Sequence, residues 1–363
     1  MTQPTVALDA MLWDEPTTGI GLYTRQVARA LGEIGVPVIR LGARSSGEHP
    51  RRLRSRTLYT LAELPRMLAE LRPSVFHAVG NFNLPLRRLA GTAFVLTVHD
   101  LIPLELPQTV SPAFHWQFRL WLERSLRIAD HVVCDSATTR AALLERFARL
   151  DPQRVTVAHL GVDHVRPPVL DATSAAYLES LGLPAEFLLY VGALDVRKNV
   201  ALVLEALDRL RSWRVVPFLL VGQRWYGSGA IEARIRTMRA AGHDIRFLGF
   251  QPEPLLHALM QRASVFVFPS RGEGFGLPPL EAMALGTPAV VSTEGALPEV
   301  CGDAAVQVDP DDADALAAAV RRLLTSPEER RARADAGRAR AAGFRWAQVA
   351  EHLAGVYRAV AAR

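Results

Sequence analysis

Short uninterrupted apolar blocks punctuate the chain, and between them the apolar positions spread out to intervals of three and four. The blocks read as buried strands and the stretches between as amphipathic helices. In the first series the strands are Thr5 to Leu8, Pro37 to Leu41, Val75 to Ala78, Ala93 to Val98, His131 to Asp135 and Val155 to Ala158. The helices among them cover Leu22 to Ile34, a pattern through Leu61, Leu64 and Leu68, Ser111 to Ala129, and a run capped by Ser136 that extends through Phe147. A second series has strands Phe187 to Val191, Phe218 to Val221, Ile245 to Leu248, Ser264 to Phe268 and Ala289 to Ser292. Its helices are Asn199 (as cap) to Leu210, Ser228 to Ala241, Glu253 to Gln261 and Pro279 to Leu285. Helices close the chain at Asp311 to Thr325, Pro327 to Ala342 and Trp346 to Ala361.

Strands that alternate with helices at this spacing form parallel sheets covered on both faces, so the predicted class is α/β. The alternation breaks over residues 164–184, where Pro167, Pro168, Asp171 and Ser174 read as a connector. A chain of 363 residues also exceeds what one core usually serves. The expected organisation is two Rossmann-like domains, residues 1–165 and 184–343, followed by a closing helix in 344–363.

Composition narrows the function classes. No apolar run approaches the ~18 residues that span a bilayer, and the first strand begins too early to leave room for a signal peptide, so a cytoplasmic protein is expected. Cys134 and Cys301 are the two cysteines, far apart and outside any metal-ligand spacing, which points to neither a disulfide framework nor a zinc site. The net charge of +5 suits an anionic partner such as a nucleotide or an anionic lipid, whereas nucleic-acid recognition motifs are absent and no nucleic-acid partner is expected. Of the 42 basic residues a single one, Lys198, is lysine. A lysine that survives such pressure toward arginine suggests a site needing a compact ammonium where a planar guanidinium would not fit. Arg51, Arg52, Arg54 and Arg56 form a basic run that reads either as a solvated loop or as a peripheral contact with an anionic membrane, at the inner face of the plasma membrane. The aromatic helix carrying Phe114, Trp116, Phe118 and Trp121 reads as core packing, with an acceptor-lining role as the alternative.

The densest chemistry lies from Pro269 to Gly286. A buried strand runs into alternating Gly272, Gly274 and Gly276, and Pro278 and Pro279 then start a helix. A loop of this kind can lie against a ligand, and the free N–H groups at the helix start favour a phosphate. Glu273 and Glu281 bracket it. Two carboxylates beside an anion site suggest acceptors for hydroxyls on the same ligand, as in a nucleotide sugar. The plainer alternative makes Glu281 a first-turn complement to the helix dipole and Glu273 a solvated loop charge.

The whole string, with glutamates eight positions apart across a glycine-rich loop and Leu-Pro-Pro-Leu-Glu-Ala-Met-Ala behind it, resembles the signature of the retaining glycosyltransferases of family 4. That resemblance implies the two-domain GT-B fold, with the domains facing across a cleft and the last helix crossing back to the first domain. It also implies a nucleotide-diphosphate sugar donor and no obligatory metal or other cofactor. By the same resemblance Arg197 and Lys198 lie at the donor pyrophosphate, Gly192 belongs to the donor-binding residues, and Gly274, Phe275, Gly276 and Leu277 form the donor loop. Glu273 then takes donor-sugar hydroxyls and Glu281 the ribose. Gly19 and Gly21 offer a second glycine-rich loop to the distal phosphate, although a plain tight turn explains them as well. His-Asp-Leu-Ile-Pro from His99 matches the family's segment near the donor sugar, with Asp100 as a candidate to orient the ring and a strand-capping histidine as the alternative.

The function expected from this resemblance is transfer of a hexose to a saccharide or lipid-linked acceptor in glycan biosynthesis. His99, Arg197, Lys198 and Glu273 are the catalytic candidates, and the pattern is most similar to bacterial surface-polysaccharide mannosyl- and rhamnosyltransferases, with GDP-mannose favoured. Alternatives are a nucleotide-sugar 2-epimerase of the same fold, a pyridoxal-dependent phosphorylase that would give the lone lysine a role, and a non-catalytic nucleotide-sugar-binding protein.

Overall fold

The computed structural model describes residues 4–15, 18–44, 55–225 and 227–362, and the chain divides into two compact units. The first comprises residues 4–107, 111–161 and 344–362. Its sheet has strands β1 (Val6–Asp9), β2 (Val38–Leu41), β3 (Val75–Ala78), β4 (Ala93–Val98), β5 (His131–Cys134) and β6 (Val155–Val157), in the order β2-β1-β3-β4-β5-β6. All pairs are parallel, with Val6 opposite both Val38 and Val75. β1 and β3 are buried along their whole length, as strands covered by helices on both faces should be.

The second unit comprises residues 108–110 and 162–343. Strands β7 (Leu188–Val191), β8 (Phe218–Val221), β9 (Ile245–Gly249), β10 (Val265–Phe268), β11 (Ala289–Ser292) and β12 (Val306–Val308) pair in parallel in the order β12-β11-β10-β7-β8-β9. The expected α/β class and paired parallel sheets are therefore present.

Several local expectations change. The helix expected from Leu22 runs Gly19–Glu33, because the Thr18 side chain caps it by accepting the Gly21 N–H at 3.1 Å. Gly19 and Gly21 thus lie in a helical first turn. A side chain at Gly21 would press its Cβ to 2.6 Å from the carbonyl oxygens of Leu12 and Glu15, so glycine is required by the chain's own preceding loop. The expected connector holds a helix, Ala172–Ser180, capped by Asp171 and already part of the second unit. On the aromatic helix, Pro112–Ile128, Phe118 is buried, but Phe114 and Trp116 are exposed and not core. Both cysteines are buried thiols.

The closing helix, Trp346–Ala361, belongs to the first unit, packs on Gly19–Glu33, and buries Trp346 and Tyr357 completely. Arg51, Arg52 and Arg54 of the basic run lie outside the described residues, and Arg56 pairs with Glu15 at 3.6 Å. Among the described residues no helix is long and apolar enough to cross a membrane.

Candidate active site

In the second sheet β7 sits between β8, which follows it in the chain, and β10, which comes three strands later. The connections leaving β7 and β10 therefore run in opposite directions, and the crevice opened at their carboxyl ends is where doubly wound sheets bind ligands. The loops leaving those two strands carry Gly192 to Asn199 and Pro269 to Gly276.

The first loop starts at Gly192, whose N–H donates to Val221 O at 2.9 Å and so closes the β7–β8 ladder. Asp195 then accepts the Arg197 N–H at 2.9 Å and tightens Val196–Lys198 into a 3-10 turn. Asn199 holds the expected N-cap position of the helix Val200–Leu210 but in a left-handed conformation (φ 56°) and without a side-chain capping bond, its amide donating instead to Pro310 O at 2.8 Å. The two loops are tied directly, since the Arg271 N–H donates to Arg197 O at 2.9 Å.

This tie brings three donor side chains onto one oxygen. Glu273 Oε1 accepts from Lys198 Nζ at 2.6 Å, Arg197 Nη1 at 2.8 Å and Ser270 Oγ at 2.6 Å. Arg197 also donates to Gly272 O at 2.6 Å. The three charged side chains are only 11–15% exposed, which corrects the solvated reading of Glu273. Burial would raise the Glu273 carboxyl, but the charges of Arg197 and Lys198 outweigh it and hold the group below the ordinary carboxylate range. Lys198 is pushed down, first by burial and then by Arg197, against the pull of Glu273. Its ammonium lies 4.8 Å from the centre of the Phe268 ring. An oxygen already serving Arg197 and Ser270 leaves room for a point charge and little for a second fork, which gives the lone lysine a physical reason.

The following helix begins at Leu277, two residues before the expected start, so Pro278 and Pro279 occupy its second and third positions. Two of the first four N–H donors are thereby missing, and the anion cradle expected from the helix start shrinks accordingly. Gly276 caps the helix at φ 104°, where a Cβ would also meet Leu297 at 2.6 Å. Phe275 is buried. Glu281 is the fifth helical residue, past the first turn, which removes the dipole reading. Its Oε1 lies 3.5 Å from His164 Nε2, both side chains being buried. His257 stands nearby, its pKa lowered chiefly by burial and pulled back by Glu281.

At the carboxyl end of the first sheet, His99 follows β4. Its backbone N–H donates to Asn81 Oδ1 at 2.7 Å, its Nδ1 lies 2.6 Å from Asp135 Oδ2, and its Nε2 lies 2.6 Å from Val79 O. Asp135, just after β5, and not Asp100 holds the ring; Asp100 accepts the Ile102 N–H at 3.2 Å. Burial draws the His99 pKa down, yet Asp135, joined by Val79 O and Asp100, opposes it and the net shift is upward. Among the described residues no group of three or more His, Cys, Asp or Glu is placed to hold a metal ion.

Comparison with known proteins agrees with this geometry. Residues 17–166 match the family model described as Glycosyltransferase Family 4, and residues 179–340 match the one described as Glycosyl transferases group 1. The chain is 31% identical over 287 residues to O-antigen chain mannosyltransferase B of Escherichia coli, covering 77% of this chain and 72% of that protein. This chain belongs to glycosyltransferase family 4. As a second family relative, MMP alpha-(1->4)-mannosyltransferase of Mycolicibacterium hassiacum is 34% identical over 287 residues, covering 75% of this chain and 67% of that protein. Sucrose-phosphate synthase from Thermosynechococcus elongatus shares the fold with a TM-score of 0.76 and 25% identity, covering 99% of this chain and 100% of that one. Family 4 membership makes the two-sheet architecture the GT-B fold and the protein a hexosyltransferase.

Four residues around these candidates escape a reading of the motifs. Ser270, Asp135 and His164 act as partners of the residues already singled out. Gly295 supports Glu273 from the loop after β11: at φ 62° it brings its Cα so close that a Cβ would lie 2.6 Å from the Glu273 backbone nitrogen. Next to it the Ala296 N–H donates to Glu273 O at 2.9 Å. Only Gly295 left a hint in the sequence, as a turn glycine after a strand.

Proposed function

We propose that this glycosyltransferase moves mannose from GDP-mannose to a hydroxyl of a saccharide or lipid-linked saccharide with retention of anomeric configuration, without an obligatory metal. The observation that carries this reading is the buried cluster of Glu273 with Arg197 and Lys198 at the switch point of the second sheet. As the glycosidic bond breaks, negative charge grows on the leaving diphosphate, and fixed cations stabilise that charge more than they stabilise the ground state. Arg197 and Lys198 supply them, in the place where a metal would otherwise act. Glu273 stays ionised between them, so it is no proton donor. Its Oε1 is committed to three donors and is a poor nucleophile, which supports retention on one face of the sugar without a covalent enzyme intermediate. Its remaining capacity suits donor-sugar hydroxyls, and Glu281 suits the ribose. The mannose assignment draws on the two relatives named mannosyltransferases.

The test is a thermal-shift panel of nucleoside diphosphates and their sugars, followed by turnover with saccharide acceptors. A ligand at about 100 times its dissociation constant adds roughly 2.7 kcal/mol to the folded state. GDP and GDP-mannose should give the largest rise in melting temperature, and mannose should appear on the acceptor with the α configuration it has in the donor. A larger rise with a uridine or adenosine donor overturns the donor assignment. Donor consumed to a 2-epimer without acceptor, or bound and never consumed, overturns the transferase reading.

A further inference from the structure

The ring of His99 has no nitrogen left to offer a substrate. Nδ1 faces Asp135 Oδ2 and Nε2 faces Val79 O, each at 2.6 Å. An ionised carboxylate and a carbonyl can only accept, so each ring nitrogen must bring its own proton. A neutral imidazole has one N–H and an imidazolium has two. From this geometry we propose that His99 serves the transfer as an immobile ring that stays protonated at neutral pH and that Asp135 is the positioning residue that keeps it so. The proposal rests on the reading of His99 as part of the transferase site.

The surroundings agree. Asp135 is 3% exposed, and its second oxygen is buried without a hydrogen-bond partner among the described residues. Such a carboxylate is costly to bury unless a cation faces it. Tyr23, from the helix Gly19–Glu33, meets the His99 ring edge-on with centroids 5.0 Å apart and is itself tied to Thr97 Oγ1 at 3.1 Å. His77 on β3 lies behind, bonded to Thr97 and to Tyr357, and burial pushes its pKa down to about 3, so it stands neutral and does not compete. Asp100 adds a second negative charge beside the ring, and the pKa of His99 is raised despite its burial. The ring therefore cannot exchange a proton with donor or acceptor without first breaking one of its two bonds.

The test has an arm that is independent of catalysis. Nitrogen-15 spectra of the wild-type protein, with the His99 signals assigned by their loss in His99→Gln, should show both ring nitrogens protonated from about pH 6 to about pH 8, above the ordinary histidine value of about 6.5. A single protonated nitrogen at neutral pH sinks the imidazolium. In Asp135→Asn the facing group is neutral, so kcat/KM should fall roughly 10- to 100-fold, as when a hydrogen bond to a charged group is lost. The rate should also acquire an inflection near the ordinary histidine pKa that the wild type lacks. If Asp135→Asn melts lower but keeps the wild-type rate and flat profile, Asp135 is only a packing residue and the positioning role fails. Should no donor be turned over at all, the transferase reading fails while the spectra still decide the state of the ring.

Discussion

At the carboxyl end of the second sheet, polar side chains converge on an anion, with Arg197, Lys198 and Ser270 all donating to one oxygen of Glu273. At the corresponding end of the first sheet they converge on a cation, with Asp135 and Val79 O taking the two ring nitrogens of His99. The two centres also differ in how they are built. The Glu273 cluster joins loops from β7 and β10, neighbours in space whose connections diverge, and Gly295 from a third loop supports it. The His99 cluster uses the ends of the consecutive neighbours β3, β4 and β5, the first of which borders the divergence between β1 and β3. A charge at a switch point is held by loops that a ligand can reach. A charge set within consecutive neighbours is held by the sheet itself.

The comparison breaks most visibly at Lys198. Lys198→Ala should lower turnover by roughly 100-fold or more, and lower it more than donor affinity, since one transition-state donor is typically worth about 3 kcal/mol. Because the ammonium is buried against Glu273, a stability loss of about 1–3 kcal/mol should accompany it, seen as a lower urea midpoint. Lys198→Arg keeps the charge yet should also lose most activity, because the forked guanidinium needs space that Arg197 and Ser270 already occupy. Wild-type turnover in the arginine variant would mean that any cation suffices here.

A smaller effect should come from the support. Gly295→Ala places a methyl against the Glu273 backbone at a positive φ and should cost about 1–3 kcal/mol, with activity falling through misplacement of Glu273 and not through loss of charge. An alanine variant as stable as the parent would show that the loop after β11 can shift freely.

The mildest perturbation is pH, and the two centres should respond in opposite directions. Glu273 has a depressed pKa, so its stabilisation is complete above the ordinary 4.5 and is lost as pH falls through the lower folded value. His99 has a raised pKa, so its contribution is complete below the ordinary 6.5 and is lost as pH rises through the higher folded value. Hydrogen exchange should show the loops around Glu273 opening first in acid and those around His99 opening first in mild base. The same unit leading in both directions would contradict the opposed polarity.

Much of this was readable in advance. β3, β4, β8, β11 and the closing helix fall on their expected residues, because buried strands are continuous apolar blocks and the last helix carries a clean apolar stripe. The helix Ala172–Ser180 buries only Leu178, so no stripe announced it, and β12 is a three-residue, half-buried strand with glutamine at its centre. The start of the first helix was misplaced because a single Thr18 hydrogen bond decides it. At the site, Lys198 and Glu273 stood out through composition and glycine spacing. Asp135 did not, because its partner lies 36 positions away and meets it only when β4 and β5 pair.

The closing helix has a consequence for how such enzymes can be recombined. The first unit is discontinuous in the chain, ending at Gly161 and resuming at Phe344. Joining the amino-terminal half of one homologue to the carboxyl-terminal half of another would therefore graft a foreign last helix onto the first unit, setting Trp346 and Tyr357 against cavities shaped by different neighbours. The exchangeable cassette is the internal segment 162–343, and moving it cleanly takes two crossovers where a reading as consecutive domains would suggest one.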